Sequence, residues 1–87
     1  MSIGDSTMVA IKVRFFAAAK AHTGTPSTTW TLTGTGRTID EALIAADLYN
    51  VPVFLRSSFL LNGLATDRTA VLTDGDSLDV LPPFAGG

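Results

Sequence analysis

The sequence contains no cysteine and only one histidine, His22. Without cysteine the chain can form no disulfide, no thiolate metal ligand and no catalytic thiol. His22 has no pair of carboxylates beside it in the sequence, and nothing in the sequence indicates a base that would activate a serine. The sequence therefore predicts no self-contained active site, no metal site and no permanently bound cofactor.

Charged residues are also scarce, at 16% of the chain against about 25% in an average soluble protein. The six lysine and arginine residues are scattered and the net charge is -2, which excludes the basic stripe of a nucleic-acid-binding protein. No apolar run approaches the roughly 18 residues of a membrane span, and the first residues do not resemble a secretory signal. We therefore expect a cytoplasmic protein that binds neither nucleic acid nor a membrane.

Apolar residues, in contrast, make up 46% of the 87 residues. So short a chain cannot bury all of them. We expect a single domain with an exposed apolar patch, because such a patch on a small soluble domain usually marks the binding surface for a partner protein.

Two strands and a short helix are predicted before residue 34. Apolar and charged side chains alternate from residue 9 onward, which is typical of a half-buried strand. The buried face of this strand is predicted to comprise Val9, Ile11, Val13 and Phe15. A turn or two of helix fits residues 17–22, and the β-branched stretch 28–33 favours a second strand that can pair antiparallel with the first.

The main helix is predicted to begin at a capping box formed by Thr38 and Glu41, whose side chains satisfy free amide groups at the helix start. It should end near Asn50, because Pro52 disfavours helical geometry in the residue before it. Apolar residues recur three or four positions apart along the helix, which predicts one buried face. That face is predicted to comprise Ile39, Ala42, Leu43, Ala46 and Tyr49.

Two turns organise the second half of the chain. Asn62-Gly63 favours a hairpin because both residues tolerate positive φ. Asp74-Gly75-Asp76 is interpreted as a turn rather than a cation site, since a calcium loop needs several more oxygen ligands. A short strand is predicted between these turns at residues 70–72, and a last strand with Leu78 and Val80 on one face is predicted to stop at Pro82. This order predicts an α+β domain in which one main helix packs across a mixed sheet of four to five strands, with a small β-barrel as the alternative.

The sequence ends in LPPFAGG, residues 81–87, and this ending is its strongest functional signal. Pro82 and Pro83 favour an extended conformation, in which six residues reach on the order of 19 Å. Gly86 and Gly87 lack a Cβ, so they can enter a narrow channel and present an unhindered terminal carboxylate. Adenylation by ATP would turn that carboxylate into a mixed anhydride, and attack by a sulfur donor would then give a thiocarboxylate. Such a sulfur carrier needs no cysteine.

Four stretches of the sequence resemble one known family: VRFFAAAKAHTG at 13–24, TIDEAL at 38–43, LLNG at 60–63 and LTDGDSLDVLPPFAGG at 72–87. They are similar to the MoaD/ThiS group of ubiquitin-like sulfur carriers, and within that group to the small subunits of molybdopterin synthase. Each element alone is common, but a DGD turn followed by a strand, Pro-Pro, an aromatic residue and a final Gly-Gly is a specific combination.

The resemblance implies a β-grasp fold with a flexible extension (1–7), a ubiquitin-like domain (8–81) and an extended Gly-Gly tail (82–87). It implies that an E1-like enzyme uses ATP to adenylate Gly87 and that a sulfur donor protein supplies the sulfur. The tail would then enter the large subunit of molybdopterin synthase, in a heterotetramer, and donate sulfur to cyclic pyranopterin monophosphate. By the same resemblance, Gly87 carries the sulfur and Gly86 provides clearance. The other tail residues that would contact the partner are Pro82, Pro83, Phe84 and Ala85.

Other functions stay open at this point. A sulfur carrier for thiamine or cysteine biosynthesis would share the tail and its adenylation, although thiamine carriers tend to be shorter and to have an early N-G-E turn where this chain has AAAKA. A ubiquitin-like modifier would instead join the same carboxyl group to lysines, and a passive binding module would leave it unmodified. The chain also departs from many family members in a short stretch at 50–58 and in residues 1–7, which leaves partner contacts near the short stretch open.

Overall fold

The computed structural model describes residues 7–83, which form one five-stranded sheet and three helices. In chain order the elements are β1 (Met8–Phe15), α1 (Ala17–Thr23), β2 (Ser27–Thr33), α2 (Ile39–Ala45), α3 (Pro52–Leu55), β3 (Ser58–Leu61), β4 (Leu64–Thr66) and β5 (Ser77–Leu81). The strand order is β2-β1-β5-β3-β4; β1 and β5 are parallel, and the other neighbouring pairs are antiparallel. The predicted α+β, β-grasp architecture is confirmed. Within 7–83, no helix is long and apolar enough to cross a membrane.

The hydrophobic core lies between the helices and one face of the sheet. Alternation along β1 buries the four side chains predicted from the sequence, Val9, Ile11, Val13 and Phe15. The central strand β5 contributes Leu78 and Val80, and both are fully buried. From the helices, the large side chains of Ile39, Leu43 and Phe54 are fully buried in the same core. The face of the sheet that each strand residue occupies could therefore be predicted from the period of two.

The main helix α2 begins as predicted. The Thr38 hydroxyl accepts a hydrogen bond from the Glu41 N–H at 3.2 Å, and the Glu41 carboxylate accepts one from the Thr38 N–H at 2.9 Å. This is a complete capping box. The hydrogen bonds to the carboxylate, first of all the one from the Thr38 backbone, hold the pKa of Glu41 below its ordinary value.

The predicted end of α2 near Asn50 is wrong, because the helix ends at Ala45. Asp47 adopts a φ of +61°, and the chain then turns Leu48 into the core, where its N–H donates to the Leu43 carbonyl at 2.8 Å. In a continued helix, Leu48 would lie about 1.4 turns beyond Leu43 and away from the buried face. Tyr49, predicted to be buried, is 37% exposed instead.

The helix α3 was not predicted. Pro52 occupies its first turn, where a missing N–H breaks no helical hydrogen bond. The turn buries Phe54, whose ring contacts that of Phe15 edge-on at a centroid distance of 6.1 Å. The short strand predicted at residues 70–72 is not formed, and Val71 makes only an isolated bridge with Thr38. The strand between the two turns is β4, which directly follows the hairpin turn.

Most of the predicted extension and tail lies outside the described residues. Within 1–7 only Thr7 is described, and its carbonyl accepts a hydrogen bond from the Gly34 N–H at 2.7 Å. Within 82–87 only Pro82 and Pro83 are described. The division of the chain into 1–7, 8–81 and 82–87 therefore stays a prediction.

Candidate functional site

The C-terminal tail starts from β5, which is the central strand of the sheet. Val80 accepts a hydrogen bond on its carbonyl from the Phe16 N–H at 3.3 Å, and Leu81 is paired with Ser58 of β3. Pro82 then ends the ladder, since it has no N–H to donate. The end of β5 is thus held on both sides, Val80 by the residue that follows β1 and Leu81 by β3.

Both faces of β5 are anchored just before the tail. Leu78 and Val80 fill the core on one face, and Asp79 lies on the other face, where it is only 8% exposed. Arg14 donates from Nε and Nη2 to the two carboxylate oxygens of Asp79, each at 2.7 Å. The hydrogen bonds to Asp79 are the main cause of a raised pKa of Arg14, and charge attraction to the same carboxylate raises it further. Arg14 and Asp79 face each other in the parallel β1–β5 pair, so this bidentate ion pair links the two strands.

The side of the sheet away from the helices, called here the open face, carries apolar side chains around this ion pair. Leu60 of β3 is paired with Asp79, and the Arg14 guanidinium lies 5.7 Å from the centre of the Phe16 ring. Phe16 is 38% exposed and Leu81 is half-buried. An apolar surface with one ion pair at its centre therefore adjoins the root of the tail, and such a surface suits contact with a partner protein.

Exposed apolar side chains are not confined to that surface. Ile44 and Tyr49 line a separate hollow on the helical side, together with Val51 and Pro52. The guanidinium of Arg68 lies 4.8 Å from the centre of the Tyr49 ring. The expected exposed apolar surface is thus distributed over at least two places.

The two predicted turns contact each other at the start of β5. Asn62 donates from its side-chain amide to Asp76 at 2.9 Å, and Asp76 also accepts from the Thr73 N–H at 2.8 Å. Partial burial raises the pKa of Asp76, but these hydrogen bonds outweigh it and hold the pKa below its ordinary value. Asp74 accepts from the Ala10 N–H at 2.8 Å. The interpretation of both aspartates as turn residues is confirmed, while their contact with the Asn62 hairpin was missed.

The side chains considered for catalysis or metal binding are not clustered. His22 is exposed near the end of α1, with its ring 5.9 Å from that of Phe54. Among residues 7–83, no three histidine, cysteine, aspartate or glutamate side chains are close enough to hold a metal ion. The described residues instead build an anchor for the tail and a surface beside it.

The structure describes only part of the predicted tail site. Pro82 is half-buried and Pro83 is exposed, directly after β5. The other four predicted site residues, Phe84, Ala85, Gly86 and Gly87, lie outside the described residues. Sequence reasoning did not single out Arg14 and Asp79, although both occupy polar positions of strands predicted to be half-buried. Their opposite charges were a usable signal only once β1 and β5 were known to be neighbours.

Several solved structures share this fold. The HVO 2177 protein of Haloferax volcanii has a TM-score of 0.75 and 24% identity, and the match covers 100% of this chain and 94% of that chain. SAMP1 of Haloferax volcanii has a TM-score of 0.75 and 24% identity, with coverage of 90% and 99%. A chain in the complex of subunits 1 and 2 of the molybdopterin-converting factor from Helicobacter pylori 26695 has a TM-score of 0.58 and 23% identity, with coverage of 91% and 100%. No curated protein sequence gives a significant match.

A sequence profile gives the family directly. The profile of the ThiS family matches residues 13–87, from the middle of β1 to the final glycine. This range contains all four stretches on which the sequence resemblance rests, and it confirms that resemblance. The chain therefore belongs to the ThiS family, within the ThiS/MoaD type of ubiquitin-like sulfur carriers.

Proposed function

We propose that this protein is the sulfur-carrying small subunit of a molybdopterin synthase and that it acts in the cytoplasm. The observation that carries the proposal is the attachment of a Pro-Pro-aromatic-Gly-Gly ending directly to the central strand of a ThiS-family domain. The strand is fixed by hydrogen bonds, core packing and the Arg14–Asp79 pair. A domain of this kind docks as a rigid body while its last residues, reaching on the order of 19 Å, enter a deep site of the partner.

Gly87 is the reacting residue in this proposal. An E1-like enzyme transfers AMP from ATP to the terminal carboxylate and releases pyrophosphate, which makes the carbonyl carbon open to attack. A sulfur donor protein then supplies a sulfide equivalent, AMP leaves, and the carboxylate becomes a thiocarboxylate. Because neither Gly86 nor Gly87 has a side chain, the same carbonyl group fits the narrow sites of both the activating enzyme and the acceptor enzyme.

The proposed acceptor is cyclic pyranopterin monophosphate bound to the large subunit. The thiocarboxylate sulfur forms a C–S bond to a side-chain carbon of the pterin while a C–O bond at that carbon breaks, and the displaced oxygen stays on the phosphate or leaves as water. Water then hydrolyses the resulting thioester, which restores the Gly87 carboxylate and leaves the sulfur on the pterin. Two such deliveries give the two sulfur atoms of the dithiolene. The complex from Helicobacter pylori, in which a subunit 1 of this fold binds a subunit 2, supports a partner of this kind. We propose a heterotetramer, with Pro82, Pro83, Phe84 and Ala85 seating the tail.

The open face beside the tail root is the proposed docking surface for the large subunit. Phe16, Leu60 and Leu81 supply apolar contact area there, and the Arg14 side chain is 60% exposed despite its pairing with Asp79. A partner that covers this surface also fixes the direction in which the tail leaves β5.

Reconstitution tests the assignment. The thiocarboxylated protein is mixed with the large subunit from the same organism and with cyclic pyranopterin monophosphate, and both the pterin and the protein mass are followed. We expect molybdopterin to form while the protein returns to its carboxylate form, and the plain carboxylate protein serves as the inactive control. Failure of the cognate mixture, together with thiazole or cysteine formation by the enzymes of those pathways, would assign the protein to another sulfur-carrier pathway.

A second candidate function is protein modification. Its support is the similarity to SAMP1, a small archaeal modifier protein, with a TM-score of 0.75 over 90% of this chain. In that case the adenylated Gly87 would form an isopeptide bond with a lysine of another protein. Mass spectrometry of tryptic peptides from cell extract distinguishes this bond from the thiocarboxylate that our first proposal requires.

A further inference from the structure

One edge of the sheet is formed by β2 (Ser27–Thr33), and no strand lies on its outer side among the described residues. The hydrogen bond from the Gly34 N–H to the Thr7 carbonyl, taken with the register of the β1–β2 pair, shows which β2 residues direct their backbone groups toward β1. In an antiparallel pair, every second residue directs its N–H and C=O toward the partner strand and the residues between direct theirs away. By this alternation, the backbone groups of Thr29 and Thr31 point outward from the sheet.

The two ends of this edge are closed by side chains of the chain itself. The Thr25 hydroxyl donates to the Ser27 carbonyl at 2.9 Å, and Arg37 Nε donates to the Thr33 carbonyl at 3.0 Å. Between these points β2 contains no charged residue and no proline. Charged residues and prolines are the features by which natural edge strands commonly prevent pairing with another strand. As far as residues 7–83 are concerned, the edge is therefore open over a short stretch centred on Thr29 and Thr31.

On the helical side, a groove runs between this edge and α2. A hollow of about 150 Å³ lies beside Trp30 and Leu32, opposite three alanines of the α2 region, Ala42, Ala45 and Ala46. A second hollow of about 310 Å³ shares Leu32 and Ala45 and extends toward Arg37 and Glu41. Apolar side chains from a strand added to β2 would enter this groove at alternate positions.

On the open face, the same edge lies beside positive charge. Lys12 is paired with Thr29, and Arg14 is paired with Ser27. Lys12 makes no ion pair within residues 7–83, and β2 carries no carboxylate that could neutralise it. An added strand would lie two strand spacings, about 10 Å, from β1. Acidic side chains that it directs toward the open face would lie close to the Lys12 ammonium group.

We propose that the β2 edge binds an extended segment of a partner protein in which acidic and apolar residues alternate. The segment pairs antiparallel with β2, exchanging hydrogen bonds with Thr29 and Thr31, and its apolar residues fill the groove against α2. A second copy of this chain fits less well, because its β2 would bring threonines instead of carboxylates to Lys12 and would add a second positive cluster to the same face. The site is separated from the tail strand by β1, so the proposal does not depend on the proposed sulfur transfer.

The test uses the full chain, isotope-labelled for NMR, and a short end-capped peptide in which aspartate and valine alternate. We expect the amide signals of Thr29 and Thr31 to shift and their hydrogen exchange to slow on titration. A peptide of the same composition, with its valines in one block and its aspartates in another, is the matched control and should have little effect. Lys12→Glu should weaken binding about fivefold at low ionic strength, whereas Lys20→Glu on α1 should change it little.

Two further variants examine the edge and the groove separately. Thr31→Pro removes one outward N–H from an edge position, where proline is tolerated, and Ala45→Glu places a carboxylate in the groove. Each should abolish peptide binding while the core signals remain unchanged. Absence of shifts at Thr29 and Thr31, or shifts confined to another surface, would overturn the proposal. So would protection of these two amides in the free protein together with a dimeric mass in sedimentation, because a second copy would then occupy the edge.

Discussion

Asp79 is the one buried charged residue among residues 7–83, and both of its carboxylate oxygens accept hydrogen bonds from Arg14. Arg14→Ala leaves this carboxylate without a cation in a site that solvent hardly reaches. Asp79→Ala leaves an arginine that is already 60% exposed and can return to water. We therefore expect Arg14→Ala to lower the thermal midpoint by several degrees and by more than Asp79→Ala does, because stranding a buried charge is the costlier change.

Thermal denaturation followed by circular dichroism measures this difference. Lys20→Ala, which removes an exposed cation outside the pair, is the control and should leave the midpoint almost unchanged. Equal effects of Arg14→Ala and Asp79→Ala would mean that burial of Asp79 does not determine the energetics of the pair.

If the proposed mechanism holds, changes in the tail should affect activity rather than stability. Deletion of Gly87 removes the carbonyl group that is to be adenylated, and Gly86→Val places a branched side chain beside it. Because both positions follow the last core strand, we expect adenylation or sulfur transfer to be lost while the free energy of unfolding changes by no more than about 0.5 kcal/mol. An ATP–pyrophosphate exchange assay with the activating enzyme, run beside a denaturant titration, separates the two effects. Normal exchange by the truncated chain would remove Gly87 from the mechanism.

At the scale of elements, α3 buries one side chain, Phe54, and packs Val53 partly against the core. Phe54 is fully buried, and its ring contacts those of Phe15 and His22. Phe54→Ala should cost about 3 to 5 kcal/mol, a large share of the stability of a small domain. The neighbouring Leu55 is 52% exposed, so Leu55→Ala should cost about 0.5 kcal/mol or less. Equilibrium denaturation of both variants checks the prediction, and similar losses would show that burial of Phe54 is not the cause.

The start of α2 predicts a dependence of stability on pH. The capping box holds the pKa of Glu41 below its ordinary value of 4.5, mainly through the hydrogen bond from the Thr38 backbone. The ionised side chain therefore stabilises the folded state above the ordinary pKa, and this contribution is lost as the pH falls through the lower, folded-state pKa. We expect the unfolding free energy to fall with acidification in this range, and to fall less steeply for Glu41→Gln. Identical pH profiles for the two proteins would contradict the role of the carboxylate.

Local signals were sufficient for some elements and not for others. The alternation of β1, the Thr38 capping box and the Asn62-Gly63 hairpin are encoded in neighbouring residues, and all three were predicted correctly. The early end of α2 depends on burial of Leu48, which is a tertiary effect. The Arg14–Asp79 pair depends on the parallel pairing of strands from opposite ends of the sequence, and no local pattern encodes that pairing.

At the scale of the whole molecule, the fold separates its two proposed contact sites. The tail root and the open face around it belong to β5 and its neighbours, whereas the β2 edge lies on the other side of β1. A partner segment at the edge would therefore leave the tail strand uncovered. The central position of β5 fits the proposed role of the chain end as the reacting group, because the strand before the tail is hydrogen-bonded on both sides and its direction is set by the sheet.

The most direct test of the sulfur-carrier function is the intact mass of the protein purified from its own cells. The proposed mechanism predicts a species that is heavier by the difference between a sulfur and an oxygen atom, with fragmentation locating the change at Gly87. That species should disappear from cells that lack the activating enzyme. A chain found only with an unmodified terminal carboxylate, or only joined to lysines of other proteins, would contradict the assignment.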